Sequence, residues 1–115
     1  MRSLESLLKD AISKFNEKVK IDDRLKEALK GITRKIVVEL EQGKKFSFII
    51  QNCEITNFSV GGLEQADVQI ISDSETLEKL LTKELSPFKA YALGKLKIKA
   101  PLADLMALRK FLKGE

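Results

Sequence analysis

Apolar residues recur along this chain with two different periods, and the points where one period gives way to the other mark out its elements. Leu4, Leu7, Leu8, Ala11, Ile12, Phe15 and Val19 share one helical face, Arg2, Lys9, Lys14 and Lys18 lie off it, and Ser3 stands where a first-turn cap belongs. A short second helix, from Asp22 or Asp23 to Leu29, is predicted to end at Gly31, because a residue without a Cβ suits the left-handed turn after a helix. From Thr33 to Glu41 the period drops to two: Ile36, Val38 and Leu40 alternate with Lys35, Val37, Glu39 and Glu41, the pattern of a half-buried strand. Gln42 to Lys45 make a hairpin turn. Phe46, Phe48 and Ile50 then return along one face, with Ser47, Ile49 and Gln51 on the other.

The next strand, Cys53 to Val60, changes parity part-way, since Cys53 and Ile55 point opposite to Phe58 and Val60; a bulge would absorb the slip. Gly61 and Gly62 turn the chain, and neither dinucleotide spacing nor a following Lys-Ser or Lys-Thr makes them a phosphate loop. Ala66, Val68 and Ile70 alternate with Asp67, Gln69 and Ile71 in a fourth strand. Ser72 or Asp73 is placed to cap the helix that follows, with Leu77, Leu80, Leu81 and Leu85 along one face. Ser86 and Pro87 restart the chain as a further short helix carrying Phe88, Tyr91, Ala92 and Leu93 to Gly94. Lys95 to Lys99 read as a fifth strand with three lysines on one face, a device that suits a sheet edge.

Pro101 opens a last helix, greasy on more than one side. Ala103, Leu105, Ala107, Leu108, Phe111 and Leu112 cover one broad arc, while Leu102 and Met106 lie outside it beside Arg109, Lys110 and Lys113. Asp104 falls inside the apolar arc, which leaves two readings open: it meets free amides in the first turn, or it is a polar contact for a bound ligand.

The composition narrows the chemistry. The chain of 115 residues suits a single domain, residues 1–115. No apolar run approaches the roughly 20 residues that span a bilayer, and charges interrupt the N-terminal stretch where a signal peptide needs apolar residues, so a cytoplasmic protein is expected. A lone cysteine, Cys53, fits a reducing compartment and reads as a small apolar strand residue. There is no histidine, which removes the commonest general base and a common metal ligand; no catalytic residue and no cofactor are expected. Residues 83–115 carry eight basic and three acidic side chains. One tyrosine and no tryptophan offer little for stacking nucleic-acid bases, so that use of the basic end is set aside.

Taken together, ADVQIIS running into the leucine-rich ETLEKLLTKEL, the proline-restarted SPFKAYALG, then GKLKIK and a short apolar final helix resemble the sterol carrier protein 2 family of lipid-binding domains. The similarity is densest from Ala66 to Leu108. Ala100, Pro101 and Asp104 stand where that family usually has glycines and polar residues. The resemblance implies an α+β fold, a five-stranded mixed sheet with helices packed on one side, and an apolar tunnel between sheet and helices. It also implies a non-catalytic module that binds or transfers a fatty acyl chain, an acyl-CoA or a sterol-like lipid. On that reading Phe46, Phe48, Ile70, Leu77, Leu81, Phe88, Tyr91, Leu105, Met106 and Leu108 are placed on the tunnel wall, each of them otherwise a core position.

An empty, dry pocket of about 300 Å³, the low end for ligand sites, would cost on the order of 7 kcal/mol. A whole domain is stable by only about 5 to 15 kcal/mol. The ligand-free form is therefore expected to be partly collapsed or softened. Lys83, Lys89, Lys95, Lys97, Lys99, Arg109, Lys110 and Lys113 are expected to favour transient contact with an anionic membrane or with a CoA head group. The second reading is a protein-interaction domain of the same fold that docks an acyl-CoA enzyme, a thiolase or an acyltransferase.

Overall fold

The computed structural model describes residues 3–41, 43–63 and 65–106, apart from the side chain of Phe88. The helix starts are set by the side chains the sequence offers. In α1 (Leu4–Ile21), the Ser6 N–H donates to the Ser3 hydroxyl; in α2 (Asp23–Leu29), the Asp22 carboxylate accepts from the N–H groups of Arg24 and Leu25. Gly31 follows α2 with φ +75°, the left-handed turn foreseen there. Three strands come next, β1 (Arg34–Leu40), β2 (Lys45–Gln51) and β3 (Glu54–Val60), then β4 (Val68–Ser72), α3 (Ser74–Leu81), α4 (Pro87–Ala92) and β5 (Leu96–Lys99). Residues 102–106 are helical.

Of the two caps expected for α3 the structure takes one, and its expected end is corrected. Its cap is Asp73, which accepts the Thr76 N–H at 2.6 Å, whereas the Ser72 hydroxyl turns to the Asp73 carbonyl. That backbone hydrogen bond holds the Asp73 carboxyl below its ordinary pKa. The helix also ends at Leu81, not Leu85. Lys83 takes φ +65°, and the N–H groups of Glu84 and Leu85 fold back to the Lys79 carbonyl at 2.8 and 3.2 Å, closing the last turn. Ser86 caps α4, with Pro87 in its first turn.

The sheet has five strands in the order β3-β2-β1-β4-β5, mixed because β1 and β4 run parallel while the other pairs are antiparallel. The fold is α+β. β5 is an edge strand, as its lysines suggest, with Leu96 buried and Lys97 and Lys99 exposed. Register then decides which side chains share a face. Val60, Phe46, Val38, Ile70 and Ile98 form one row across the helix-facing side, and Phe48, Ile36 and Val68 form a second. α1 and α3 close over these rows, and Leu8 and Leu77 join Ile36, Val38, Leu40, Phe46, Phe48 and Val68 in the core. Phe46 is fully buried and stacks on Phe58 with ring centroids 5.9 Å apart.

The parity slip in β3 is a bulge. Between the pairs Ser47–Ser59 and Ile49–Thr56 the partner strand advances two residues while β3 advances three, and Asn57 takes up the extra residue at φ +56°. Ile55 and Phe58 therefore both reach the core in spite of their odd spacing. Cys53 is not a strand residue. With Asn52 it forms the two-residue β2–β3 turn, both at positive φ, as the twist of a tight hairpin demands. On the other face Val37 and Ser47 are buried as well, since they pair at the middle of the sheet among longer side chains.

The outer edge of β3 is covered by a side chain. Asn16 of α1 accepts the Ile55 N–H at 2.7 Å and donates to the Ile55 carbonyl at 3.0 Å, so one amide takes the place of the next strand. Asn16→Ala is expected to cost about 1–3 kcal/mol by leaving both backbone groups unpaired in a half-buried setting. Asn16→Asp retains the acceptor but loses the donor. Urea unfolding of the two variants should rank both below wild type, and equal midpoints for all three would remove this role from Asn16.

Candidate functional site

The inward parity of β1 does not begin at Ile36. Arg34, two residues earlier, belongs to the same face, opposite Ile50 of β2, and there the cover given by α1 and α3 runs out. A cavity of about 160 Å³ lies at this end of the sheet. Its floor is Ile36, Ile50, Val68 and Ile70, one or two residues from each of β1, β2 and β4. Ala28 and Leu29 of α2 and Ile32 beyond it form one side, and Ala100, next after β5 on the parity of Ile98, forms another. Every one of these eight side chains is apolar.

Among the described residues, the two polar ones of the lining are paired with each other. Arg34 Nε–H donates to Asp104 Oδ2 at 2.8 Å and an Nη2–H donates to Oδ1 at 2.9 Å, a two-pronged ion pair. A third donor, on Nη1, reaches the Thr33 carbonyl at 2.8 Å. The hydrogen bonds from Arg34 hold the Asp104 carboxyl below its ordinary pKa, and those to Asp104 raise that of the guanidinium. Asp104 sits in the helical stretch 102–106, so the bridge ties the start of the last helix to the first strand across the cavity rim. Its partner is this guanidinium, 70 residues away in the chain, rather than a free amide of the first turn.

Of the ten residues placed on a wall by sequence, the structure brings Ile70 to this cavity. Phe46, Phe48 and Leu77 are sealed in the core behind it, with Leu81 packed partly buried against them. Leu105 is half-buried, whereas Tyr91 and Met106 are exposed, Met106 by 64%. The Phe88 side chain and Leu108 lie outside the described residues, as do Arg109, Lys110 and Lys113. The wall read from sequence left out Ala28, Leu29, Ile32, Arg34, Ile36, Ile50, Val68 and Ala100. Strand parity was the available signal for Arg34, Ile50, Val68 and Ala100; nothing in the pattern marked Ala28.

A second, polar groove of about 510 Å³ runs beside the start of α3, between Asp73, Glu75, Thr76, Lys79, Glu84, Leu85 and Lys95. Its charges are mixed, and Lys79 is already paired with Glu75 at 3.3 Å. Among the described residues, no group of three or more His, Cys, Asp or Glu is placed to hold a metal ion, and no helix is long and apolar enough to cross a membrane. Lys97 and Lys99 pair with Ile71 and Gln69, so they extend from the sheet face opposite Ile70 and the cavity.

An apolar cavity between a β3-β2-β1-β4-β5 sheet and its helices can now be set against known proteins. Residues 12–113 match the SCP-2 sterol transfer family. The chain belongs to that family. This makes it a domain of a lipid-binding and lipid-transfer family. No curated protein matches it by sequence. Among solved structures it is similar to a sterol carrier protein 2, with a TM-score of 0.64, 18% identity and coverage of 90% of this chain and 92% of that one. It is also similar to the palmitated SCP2L2 from Aedes aegypti, with a TM-score of 0.53, 18% identity and coverage of 79% and 86%. A stereoselective inverting sec-alkylsulfatase from Pseudomonas sp. shares the fold with a TM-score of 0.56 and 18% identity over 76% of this chain. The chain spans 14% of the sulfatase's length, so that likeness concerns one part of a much larger protein.

Proposed function

We propose that this SCP-2 family domain binds the hydrocarbon part of an intracellular lipid between its sheet and its helices, and carries or presents that lipid without chemical change. The observation that carries this reading is the lining of the cavity: eight apolar side chains, with one ion pair as the polar rim. The palmitated state of the Aedes aegypti relative supports a fatty acyl chain as one class of occupant; the family's name supports a sterol-like one.

At about 160 Å³ the cavity is about half the low end for ligand sites. Left dry it would cost on the order of 4 kcal/mol, against about 7 kcal/mol for the 300 Å³ pocket considered above. A small empty cavity that widens on loading is the cheaper arrangement. A long chain entering past Ile70 would part the helices from the sheet and bring Phe48, Leu77 and Leu81 onto the wall. Burial of each methylene contributes about 0.8 kcal/mol, so about 14 of them leave micromolar affinity after the costs of association.

The test is a thermal scan of delipidated protein with hexadecanoic acid, hexadecanoyl-CoA or cholesterol. At 100 times Kd, a ligand that binds only the folded state adds about 2.7 kcal/mol, which raises Tm by on the order of 10 °C. No rise with any of the three at saturation would sink the proposal. Native mass spectrometry of gently purified protein separates it from the docking-domain reading: co-purifying lipid supports binding, whereas a clean apo mass with a tight acyl-CoA enzyme partner supports docking.

A further inference from the structure

Among the described residues, the polar lining of the cavity is one guanidinium and one carboxylate, Arg34 and Asp104. Arg34 is committed through three of its donors, two to Asp104 and one to the Thr33 carbonyl. The guanidinium is therefore already matched by one carboxylate. Lys97 and Lys99 extend from the opposite face of the sheet and offer this rim no compensating charge.

A lipid head arriving here meets different terms according to its charge. A carboxylate or phosphate has to dislodge Asp104 from a two-pronged bond and leave that aspartate unpaired, or else remain beside its like charge. A hydroxyl faces neither penalty. It accepts from a remaining guanidinium N–H and donates to a free lone pair of Asp104, so the ion pair stays intact. We infer that the Arg34–Asp104 pair is a head-group selector that favours lipids with an uncharged hydroxyl head over those with an anionic one. This rests on the cavity being the lipid site, and it adds the chemical class of the head that the site takes.

The test compares dodecanol and dodecanoate at pH 8, below their aggregation limits, by displacement of a fluorescent fatty-chain probe from the full chain. The readout is the ratio of the two Kd values in wild type, Asp104→Ala and Asp104→Asn. Taking a change in ratio cancels the unequal affinity of the two ligands for water. A loosened helix alters both affinities together and leaves the ratio where it was. Removing the aspartate's charge frees the Arg34 fork for a carboxylate, so the ratio of dodecanoate Kd to dodecanol Kd is expected to fall by more than about threefold in both variants, toward the tenfold that 1.4 kcal/mol represents. Asp104→Asn retains the shape of the side chain and guards against a folding defect in Asp104→Ala. A fall of less than about threefold in the asparagine variant overturns the inference while the cavity reading stands. Failure of wild type to bind either ligand overturns both.

Discussion

Ala28→Phe is expected to lower the affinity for a fatty chain by about 100-fold while leaving the fold intact. Ala28 borders the cavity from α2, yet its residue surface is otherwise exposed, so a larger side chain there has a route in without displacing the core. A phenyl ring turned into about 160 Å³ of apolar space takes the room of three or four methylenes. At about 0.8 kcal/mol each, that is roughly 3 kcal/mol of lost ligand burial, or about two powers of ten in Kd. The ring itself gains apolar contact, so Tm should hold or rise, after a helix-propensity cost of about 0.5 kcal/mol. Lys26→Phe, at an exposed position of the same helix that does not line the cavity, is the control. Probe displacement and a thermal melt check both halves. Unchanged binding in Ala28→Phe would place the lipid elsewhere.

The largest effect on stability is expected at Phe46. Its ring is fully buried, stacks on Phe58 at an interplanar angle of 17°, and lies under Lys44 with Nζ 5.4 Å from the centroid. Phe46→Ala removes a ring from the centre of the row Val60–Phe46–Val38–Ile70, and such truncations cost about 3–5 kcal/mol. Against a total of about 5–15 kcal/mol, that is a large share, with a fall in Tm on the order of 15 °C. Urea unfolding measures it. Phe58→Ala, at a half-buried position, should cost less. The same variants address the wall assigned from sequence. If Phe46 touches only protein, a saturating lipid raises the Tm of Phe46→Ala by the same amount as that of wild type; a larger rise in the variant would put Phe46 against the ligand.

The parts of the fold legible in the sequence are those decided by local periodicity and capping. Ser3, Asp22, Asp73 and Ser86 each accept a first-turn amide because a short polar side chain before an apolar period does so in almost any context. The bulge in β3 was readable from the parity change between Ile55 and Phe58, since side chains on a strand alternate strictly and two inward residues at odd spacing require one residue too many. The edge position of β5 was readable from its lysines. Less legible were features that depend on a partner far away in the chain. Cys53 looks like a strand residue until the β2–β3 register places it in the turn. The burial of Val37 and Ser47 follows only once the neighbouring strands close around them. Phe46, Phe48 and Leu77 carry the apolar character a lipid wall needs; in the structure they pack with Leu8 of α1 in the core, and no periodicity says which helix covers which row.

The rim pair divides most sharply along this line. By itself the sequence determined that Arg34 lies two residues before Ile36 on the inward parity of β1, and that Asp104 falls within the apolar arc of the last helix. Periodicity puts Asp104 on an apolar face, and strand parity puts Arg34, which the wall read from sequence left out, on another, where a lone charge is costly to keep. Only the tertiary structure decided that the two costs cancel. The parallel β1–β4 pairing and the return of β5 to the edge bring residue 104 back over residue 34, and 70 residues of intervening chain close into an ion pair at the mouth of a cavity. Periodicity acts over a few residues and can point a charge inward; which charge awaits it there is set by the packing of strands and helices that are remote from it in sequence.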